Sequence, residues 1–407
     1  MTKNQQIKQT IAETKEKRKQ QQCSVIEIKI DKSHMSKQQK QQLHKLFLET
    51  KWLYNHLVAQ EDIFNFNTKI NQVPVKVIDQ FETRKIKLGA QIKQAILDKT
   101  ITNIKALSTK KKKGEKVGKL KFKSQINSVP LKQYNNTYKI KNNRVKIQNI
   151  KKPIKVIGLK QIKSNWDITN AKILKRQDDY FLHITVYKPK EEVNNGKYIG
   201  LDFGIRDSIT FSNGLQIDTE VPLSEKVKQE HRKLSRKQKG SKNHKKQKIK
   251  LQKAYQEVTN KRKDIRDKLR GYLKRNFEYI AVQDENIKGW HSTLYGKNIQ
   301  QSTIGGIIAG IKKLPQTTIV DRYFPSTQKC PICGTLNQIG DSKIYYCSCG
   351  YSMDRDIHAA NNILDEAFSL PTERRFKPVE NNASIVMAAW FSDNCKHCLV
   401  KQEAQLL

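Results

Sequence analysis

The sequence predicts a multidomain α+β protein. A small β-barrel, interrupted by a helical region, is expected to precede an α/β domain that contains an inserted metal-binding module. Three observations support this prediction. Short alternating strands flank a stretch of helical periodicity, apolar strands that end in acidic residues follow, and two close cysteine pairs lie near the end of the 407-residue chain. A chain of this length has room for two or three domains.

The charge of the chain indicates a polyanionic partner. Lys and Arg number 79 against 38 Asp and Glu, which gives a formal net charge of +41. Such a field attracts nucleic acid and makes binding steeply salt-dependent. No apolar run approaches the roughly 18–20 residues of a membrane-spanning helix, and no apolar segment typical of a secretory signal follows the basic N-terminus. We expect an intracellular nucleic-acid-binding protein without a membrane partner.

The first 190 residues are predicted to combine strands and helices in one split domain. From Val25 to Ile30, isoleucines alternate with charged residues, which is typical of a half-buried strand. Ser36 and Gln39 form a capping box ahead of helical periodicity that continues to about Leu107, with an interruption near Pro74. The predicted segments are a flexible basic N-terminus (1–22), a helical lobe (36–109) and a β-barrel (23–35 and 110–190).

A basic, glycine-punctuated loop is predicted at 110–124, at the start of the second barrel segment. It either binds phosphates or forms a solvated hinge, and the sequence favours neither reading. Short strands are expected after it, beginning with LKFK at 120–123 and separated by turn signals such as Asn142-Asn143.

The remainder of the chain is predicted to form an α/β domain. Ile199–Phe203 is an apolar strand that contains Asp202, and two more strands follow before residue 220, as at the start of ribonuclease-H-type nucleases. A basic helical hairpin is expected at 222–276, with its densest charge at 235–253. The predicted segments are the α/β domain (191–327 and 351–370), the metal module (328–350) and a C-terminal tail (371–407).

Four cysteines predict a structural zinc site. Cys330 and Cys333 form a CxxC pair closed by glycine, and Cys347 and Cys349 form a tighter pair, also followed by glycine. Two tight turns that each present two thiolates suit tetrahedral zinc with no open position. The alternative is four unrelated cytosolic thiols. The further pair around His397, Cys395 and Cys398, is more typical of two free thiols than of a metal site.

Three acids stand where strands end or a helix begins: Asp202, Glu285 and Asp356. Phosphodiester hydrolysis needs hard oxygen ligands for magnesium, and carboxylates that converge from distant segments provide them. Each acid also has a structural alternative. Asp202 could be a turn residue, Glu285 a loop residue, and Asp356 a helix N-cap partnered by Arg355.

Several motifs together resemble the RuvC-type nuclease of TnpB proteins, which bacterial insertion sequences encode and which are similar to miniature type V CRISPR effectors. The specific ones are GLDFG, VQDENIKGW, PSTQKCPICG, CSCG and DRDIHAANNIL. Weaker similarities are WLYNHL, LKFK and YFLHITVYKPK, so that the resemblance spans about residues 25–380. It implies a β-barrel "wedge" domain interrupted by a helical recognition lobe, followed by a RuvC-like domain with an inserted zinc ribbon.

The resemblance also implies an activity. A guide RNA from the transposon end pairs with target double-stranded DNA, the protein reads a short transposon-adjacent motif, and one RuvC site cuts both strands. The implied protein is a monomer in the bacterial cytoplasm, associated with the nucleoid. A CRISPR-associated effector is a variant of this reading.

By resemblance, Asp202, Glu285 and Asp356 hold two Mg²⁺ ions, with Asp202 bridging, and the four cysteines hold one Zn²⁺. The middle acid departs from many relatives, whose pattern places Gln283 at the catalytic position. Other relatives carry Gln-Asp-Glu with the last residue catalytic, and residues two apart on a strand share a face. We therefore assign Glu285. The alternatives are a nuclease-inactive RNA-guided DNA-binding repressor and a DNA-strand transferase.

Overall fold

The computed structural model describes residues 2–78, 80–204, 209–292, 294, 296–340, 342–369 and 381–401. The chain divides into two compact units, Met1–Glu191 and Glu192–Leu407. Within the described residues, no helix is both long and apolar enough to cross a membrane.

The first unit combines strands and helices. Its elements in chain order are α1 (Lys3–Lys19), β1 (Gln21–Ile30), α2 (Lys37–Val58), β2 (Gln72–Val77), β3 (Gln80–Lys85), α3 (Ala90–Lys112), β4 (Ser128–Leu131), β5 (Tyr138–Lys141), β6 (Arg144–Ile147), β7 (Ile154–Ile157), β8 (Asp167–Arg176) and β9 (Asp179–Pro189).

Seven of these strands form one antiparallel sheet in the order β4-β8-β9-β1-β7-β6-β5. The sheet is nearly closed into a barrel: the hydroxyl of Tyr138 at the start of β5 donates to the Thr169 carbonyl in β8 at 3.1 Å. Ile28 and Ile30 of β1 are fully buried, as the alternation of that strand predicts. The prediction that β1 joins strands from beyond the helical region is confirmed.

The helical region begins as predicted and then departs from the prediction. The Ser36 Oγ accepts from the Gln39 amide at 3.2 Å, and Gln39 Oε1 accepts from the Ser36 amide at 2.8 Å, so α2 starts at a capping box. The interruption near Pro74 is a β-hairpin, β2–β3, between α2 and α3. Valines on both sides of the proline favour extended backbone there.

The N-terminal segment, predicted to be flexible, contains α1. Thr2 and Gln5 form a second capping box, and the Gln-, Lys- and Glu-rich sequence has high intrinsic helix propensity. Arg18 ties the last turn to the sheet, because its Nη1 lies 2.8 Å from Asp167 Oδ2 and its guanidinium lies 3.8 Å from the Tyr187 ring centroid. As the sequence predicts, the helix buries no core face.

The predicted strand at 120–123 is absent, since residues 113–127 contain no helix or strand. This segment instead binds α2. Asn55 donates to the Lys123 carbonyl at 3.0 Å and accepts from its amide at 2.9 Å. These hydrogen bonds replace the strand ladder that the alternating LKFK pattern suggested.

The second unit alternates strands and helices. Its elements in chain order are β10 (Tyr198–Asp202), β11 (Ile209–Phe211), β12 (Gln216–Asp218), α4 (Glu225–Ser235), α5 (Lys242–Asn276), β13 (Tyr279–Gln283), α6 (Ile287–Trp290), α7 (Gly296–Ser302), α8 (Ile304–Ile311), β14 (Thr317–Val320), β15 (Ile344–Tyr346), β16 (Ser352–Asp354), α9 (Arg355–Phe368), α10 (Asn381–Asn394) and β17 (Leu399–Lys401).

A six-stranded sheet organises this unit in the order β14-β13-β10-β11-β12-β17. Strand β13 is parallel to both β10 and β14, whereas β10, β11 and β12 form an antiparallel meander. Ile199 and Leu201 pack into the core that includes α5 and α8. Tyr198 packs on the other side with residues of α9. Because side chains alternate along a strand, Asp202 belongs to the α9 face.

The predicted helical hairpin is present as α4 and α5, and an apolar seam along α5 is buried. Gly240 supplies the left-handed backbone of the connecting turn, with φ of 87°. The seam residues in α5 are Leu251, Val258, Ile265, Leu269 and Leu273.

The C-terminal cysteines differ from their prediction as free thiols. Cys395 and Cys398 form a disulfide directly after α10. The turn there brings their Cα atoms to 5.5 Å, which is a usual disulfide separation.

Candidate active site and metal centre

The first acid is positioned by a close contact between β10 and α9. A Cβ atom on Gly200 would lie 2.2 Å from the Ala360 carbonyl oxygen, so only glycine allows α9 to approach this closely. Asp202 lies two residues beyond Gly200, and Asp356 lies about one helical turn before Ala360. Two strand residues and four helix residues each span about 6–7 Å. The contact therefore brings Asp202 and Asp356 to the same end of the sheet.

The two carboxylates of the DRD motif, Asp354 and Asp356, have different structural roles. Asp354 is the N-cap of α9, and its Oδ1 accepts from the amides of Asp356 at 3.0 Å and Ile357 at 3.1 Å. The N-cap alternative considered for Asp356 is therefore wrong. Asp356 is half-buried and forms the expected ion pair with Arg355, whose Nε lies 3.6 Å from Asp356 Oδ1.

Strand β13 supplies the third position, where Gln283 and Glu285 compete. Gln283 is the last strand residue and is buried. Its Oε1 accepts from Ser326 Oγ at 2.9 Å. Its amide nitrogen donates to three backbone carbonyls, at distances from 2.7 to 3.2 Å, in the segment that follows β14. Gln283 thus closes a turn. Glu285, two residues beyond the end of the strand, is the half-buried acid at this position.

Electrostatic coupling connects the three acids. The pKa of Asp202 is raised to about 7, first by burial and then by the charges of Asp356 and Glu285, while the Phe203 amide and Arg355 act in the opposite direction. A nearby cation would therefore stabilise the charged form of Asp202. The structure brings Glu285 and Asp356 each within electrostatic reach of Asp202, and the catalytic role of the three acids stays a prediction.

Two cations adjoin Glu285. Burial raises the pKa of its carboxyl, and the charges of Lys312 and Arg322 lower it. Both cations bind the preceding residue: Lys312 donates to Asp284, and Arg322 Nη2 lies 2.6 Å from Asp284 Oδ2. The hydrogen bond from Lys312 is the main cause of the lowered pKa of Asp284. Asp284 is therefore neutralised by its neighbours, whereas Glu285 forms no direct ion pair with any described residue.

The four predicted cysteines converge. The Sγ atoms of Cys330 and Cys349 are 3.6 Å apart, those of Cys333 and Cys347 are 3.5 Å apart, and all four lie within 4.8 Å of one another. Thiolates at about 2.3 Å from a tetrahedral zinc lie about 3.8 Å from each other. The donor set and its spacing fit zinc. Within the described part of the chain, this is the one group of three or more metal-binding side chains gathered so tightly.

The cysteine module is continuous with the helix that carries Asp356. Strand β16 pairs with β15 inside the module and ends at Asp354, the residue that caps α9. The Arg355 amide donates to the Lys343 carbonyl at 2.8 Å. One helical turn further, His358 is fully buried and stacks on Tyr345 with ring centroids 3.8 Å apart. These contacts hold the first turn of α9 against the module.

The polar network behind Gln283 was not predicted from the sequence. Asn362 of α9 donates to the carbonyls of Ser326 and Lys329 at 2.7 and 2.8 Å. Ser326 in turn binds Gln283. The signal in the sequence is a pair of polar residues one helical turn apart, His358 and Asn362, on the buried face of α9.

Two family models match parts of this unit and the end of the first. Residues 165–292 match the model described as "Probable transposase", and residues 314–363 match the model described as "Cas12f1-like, TNB domain". The second match includes the four cysteines and Asp356.

Relatives match over similar stretches. The chain is 28% identical over 180 residues to a "Putative RNA-guided DNA endonuclease" of Streptomyces pristinaespiralis, covering 41% of this chain and 44% of that protein. It is 31% identical over 212 residues to "TnpB-like protein L79" of Acanthamoeba polyphaga mimivirus, covering 46% and 40%. The matches thus span less than half the length of these relatives. The predicted resemblance to TnpB proteins is confirmed.

A solved structure was also matched. It is described as "Cryo-EM structure of the Cas12f1-sgRNA-target DNA complex", and the alignment has 14% identity, a TM-score of 0.42, and coverage of 67% of this chain and 71% of that one.

The electrostatics of Asp202 predict a pH-dependent stability. Between about pH 4 and pH 7 the folded protein retains a proton on Asp202 that an unfolded chain, with an ordinary Asp pKa near 3.9, has released. Stability therefore falls as the pH rises through this window, and the loss persists above it. In magnesium-free buffer, Asp202→Asn should raise Tm at pH 8 by about 2 °C or more, with the gain shrinking towards pH 4. Thermal unfolding followed by circular dichroism measures both.

Asp284→Asn is the matched control, because it removes the same charge from a neighbouring strand end. Its carboxylate has a lowered pKa in the folded state, so its loss should lower Tm at pH 8 and matter less in acid. An Asp202→Asn variant no more stable than the parent protein at pH 8 would show that the three carboxylates do not repel one another as described.

The cysteine cluster predicts a bound metal. Freshly purified protein should contain about one zinc ion per chain, and Cys347→Ser should lose most of it and unfold at lower temperature. Elemental analysis of the purified proteins measures the zinc content. Cys23→Ser is the control, since Cys23 is an exposed free cysteine of β1. A zinc-free parent protein, or equal zinc loss in both variants, would contradict the assignment.

Proposed function

We propose that the protein is an RNA-guided DNA endonuclease that cuts double-stranded DNA with Asp202, Glu285 and Asp356 as its catalytic acids. The names of its relatives support the activity, with one described as a putative RNA-guided DNA endonuclease and others as TnpB-like. The proposal places the protein among the nucleases of insertion sequences, acting in the bacterial cytoplasm on DNA beside a short transposon-adjacent motif.

The observation that carries the proposal is the electrostatic coupling of three acids from three separate elements. Asp202 ends β10, Glu285 follows β13, and Asp356 lies in the first turn of α9. Burial raises the pKa of Asp202 most, and the nearby charges of Asp356 and Glu285 add to this rise. A fold that only needed polar strand ends would not gather like charges, because their repulsion destabilises it.

The donor set fits magnesium. Carboxylate oxygens are the hard ligands that Mg²⁺ prefers. Burial and the charges of Asp356 and Glu285 raise the pKa of Asp202, and a bound cation would stabilise its charged form. When bound, two such ions neutralise the attacked phosphate, activate water and stabilise the leaving oxygen. Asp202, Glu285 and Asp356 are the proposed residues that would hold these ions.

The neighbouring residues hold these ligands in place. Asp354 fixes the first turn of α9, so the backbone of Asp356 has one orientation. Gln283 fixes the end of β13 against the segment after β14. Arg355 offsets part of the negative charge through its ion pair with Asp356, which leaves a positive side chain beside the place of the scissile phosphate.

Basic surfaces supply the affinity for nucleic acid in this proposal. The turn between α4 and α5 and the first turns of α5 carry exposed lysines, within the predicted segment 235–253. Lysines along an exposed helix bind the phosphate backbone without reading sequence. Sequence would then be read by base pairing with the guide RNA.

One observation favours a second candidate, a guided DNA-binding protein without nuclease activity. Gln283 occupies the strand position next to Asp202, where the resemblance implies an acid in many relatives, and its neutral amide is fully used in hydrogen bonds. If Glu285 does not serve as a ligand, binding would persist while cleavage is lost.

The test is a cleavage assay on protein co-expressed with the DNA that flanks its native locus. RNA that co-purifies is sequenced, and the complex is incubated with a plasmid library that matches its guide, in Mg²⁺. The parent protein should linearise plasmids beside one short motif. Asp202→Ala, Glu285→Gln and Asp356→Asn should each reduce cleavage by about 100-fold or more and leave RNA affinity unchanged.

Asp284→Asn provides the comparison, since it removes an acid adjacent to Glu285 whose charge Lys312 and Arg322 already balance. It should retain most of the cleavage at a temperature where it is folded. Motif-dependent DNA binding by the parent protein without any cleavage would favour the second candidate, and a purified protein without RNA would overturn both.

A further inference from the structure

A cavity in the first unit lies outside every site described above. It has a volume of about 390 Å³, within the roughly 300–1,000 Å³ range of small-ligand pockets. It opens between the β5–β6 turn, the short 3₁₀ helix Leu159–Gln161 and the segment that leads into β8. We call it the Trp166 cavity. Its lining residues are Tyr134, Ile140, Lys141, Asn142, Asn143, Leu159, Lys160, Ile162, Lys163, Ser164, Trp166 and Ile168.

We propose that the Trp166 cavity binds one unpaired nucleotide of a single-stranded RNA. The proposal rests on the function proposed above only in taking RNA as the partner. The chemistry of the lining has three parts: an aromatic and aliphatic interior, a rim of lysines, and a turn that presents two amide side chains.

The interior suits a nucleobase. Trp166 and Tyr134 are half-buried, so part of each ring remains accessible. The Tyr134 ring is held edge-on to Tyr138 with centroids 5.2 Å apart, and Lys188 Nζ lies 5.4 Å from the Trp166 ring centroid. Aromatic rings fixed in this way are platforms on which bases stack, whatever their identity.

The rim suits a phosphate. Lys141, Lys160 and Lys163 are exposed, and no acidic side chain lines the cavity. Among the described residues, none of these three lysines forms an ion pair. Other cations of the same unit differ: Arg18, for example, is already neutralised by Asp167. Three uncompensated ammonium groups around one opening attract an anion whose organic part can enter it.

The turn suits the polar edge of a base. Asn142 and Asn143 both adopt left-handed backbone, with φ of 49° and 55°, as in a two-residue hairpin turn. Their side-chain amides, exposed at the cavity, carry both donors and acceptors. A recess of this volume admits one base turned out of a strand, whereas the bases of a duplex are paired and stacked and cannot enter it.

The experiment measures binding of a short single-stranded RNA, and of the same sequence as a duplex, to the purified full-length protein. Lys160→Ala/Lys163→Ala should weaken single-strand binding about tenfold and lower its salt dependence. The matched control is Lys139→Ala/Lys152→Ala, which removes two exposed lysines of the same unit from outside the lining. It should weaken binding by less than about threefold.

Trp166→Leu separates stacking from charge. It should weaken single-strand binding about tenfold without changing the salt dependence, and it should leave duplex binding unaltered. Trp166→Phe should restore most of the single-strand affinity. Photocrosslinking with a 4-thiouridine-substituted single strand should attach RNA to the peptide that contains Tyr134 or Trp166. Thermal unfolding verifies that each variant is folded. If Trp166→Leu is unfolded, the variant of the exposed lysines, Lys160→Ala/Lys163→Ala, still tests the cavity.

Equal losses in the cavity and control lysine variants, or crosslinks confined to peptides outside the lining, would overturn the proposal. So would a loss of duplex binding as large as that of single-strand binding in Trp166→Leu. Parent protein that binds RNA, with no difference among these variants, rejects the cavity alone. Parent protein that binds no RNA rejects the proposed function.

Discussion

The contact between α9 and β10 at Gly200 is the constraint on which the candidate site depends. A helix packed on a sheet normally stands off by the length of a side chain, but here the Ala360 carbonyl occupies the space of a Cβ. This close approach brings the first turn of α9 beside the end of β10. Burial and, after it, the like charges of Asp356 and Glu285 then raise the pKa of Asp202 to about 7. The repulsion is a cost that the fold bears without a bound cation.

The cysteine module acts as a second support for the same turn. Its last strand, β16, ends at the residue that caps α9, so the position of Asp356 depends on the module being folded. Small modules of this kind have too few apolar residues to fold without a staple, and metal binding supplies the missing free energy. The proposed structural metal would thus be connected to a proposed catalytic acid without taking part in the proposed chemistry.

Much of the site was predictable because its signals are local. An apolar strand that ends in Asp202, paired cysteines with glycines, and an acid at the start of a helix are each visible within a few residues. The division of labour between Asp354 and Asp356 was not, since both fit an N-cap position. The role of Gln283 was also hidden, because its partners are backbone carbonyls about forty residues away that no side-chain pattern reveals.

The misjudged elements of the first unit have equally physical reasons. Helix α1 has no apolar stripe, so hydrophobic periodicity does not predict it. Its formation depends on intrinsic helix propensity and on a capping box. The β2–β3 hairpin lies between two long helices, and Pro74 within it indicates only an interruption of the helical pattern. The strand expected at 120–123 has the right alternation, but Asn55 takes its backbone hydrogen bonds.

Crystals soaked in Mn²⁺ would test the central claim most directly, since this ion replaces Mg²⁺ at carboxylate sites and scatters anomalously. The account predicts anomalous density between Asp202, Glu285 and Asp356, with Gln283 still bound to Ser326. Density held by Asp202 and Asp356 alone, with Glu285 turned away, would contradict the assignment of the third ligand. No density at this end of the sheet would contradict the site itself.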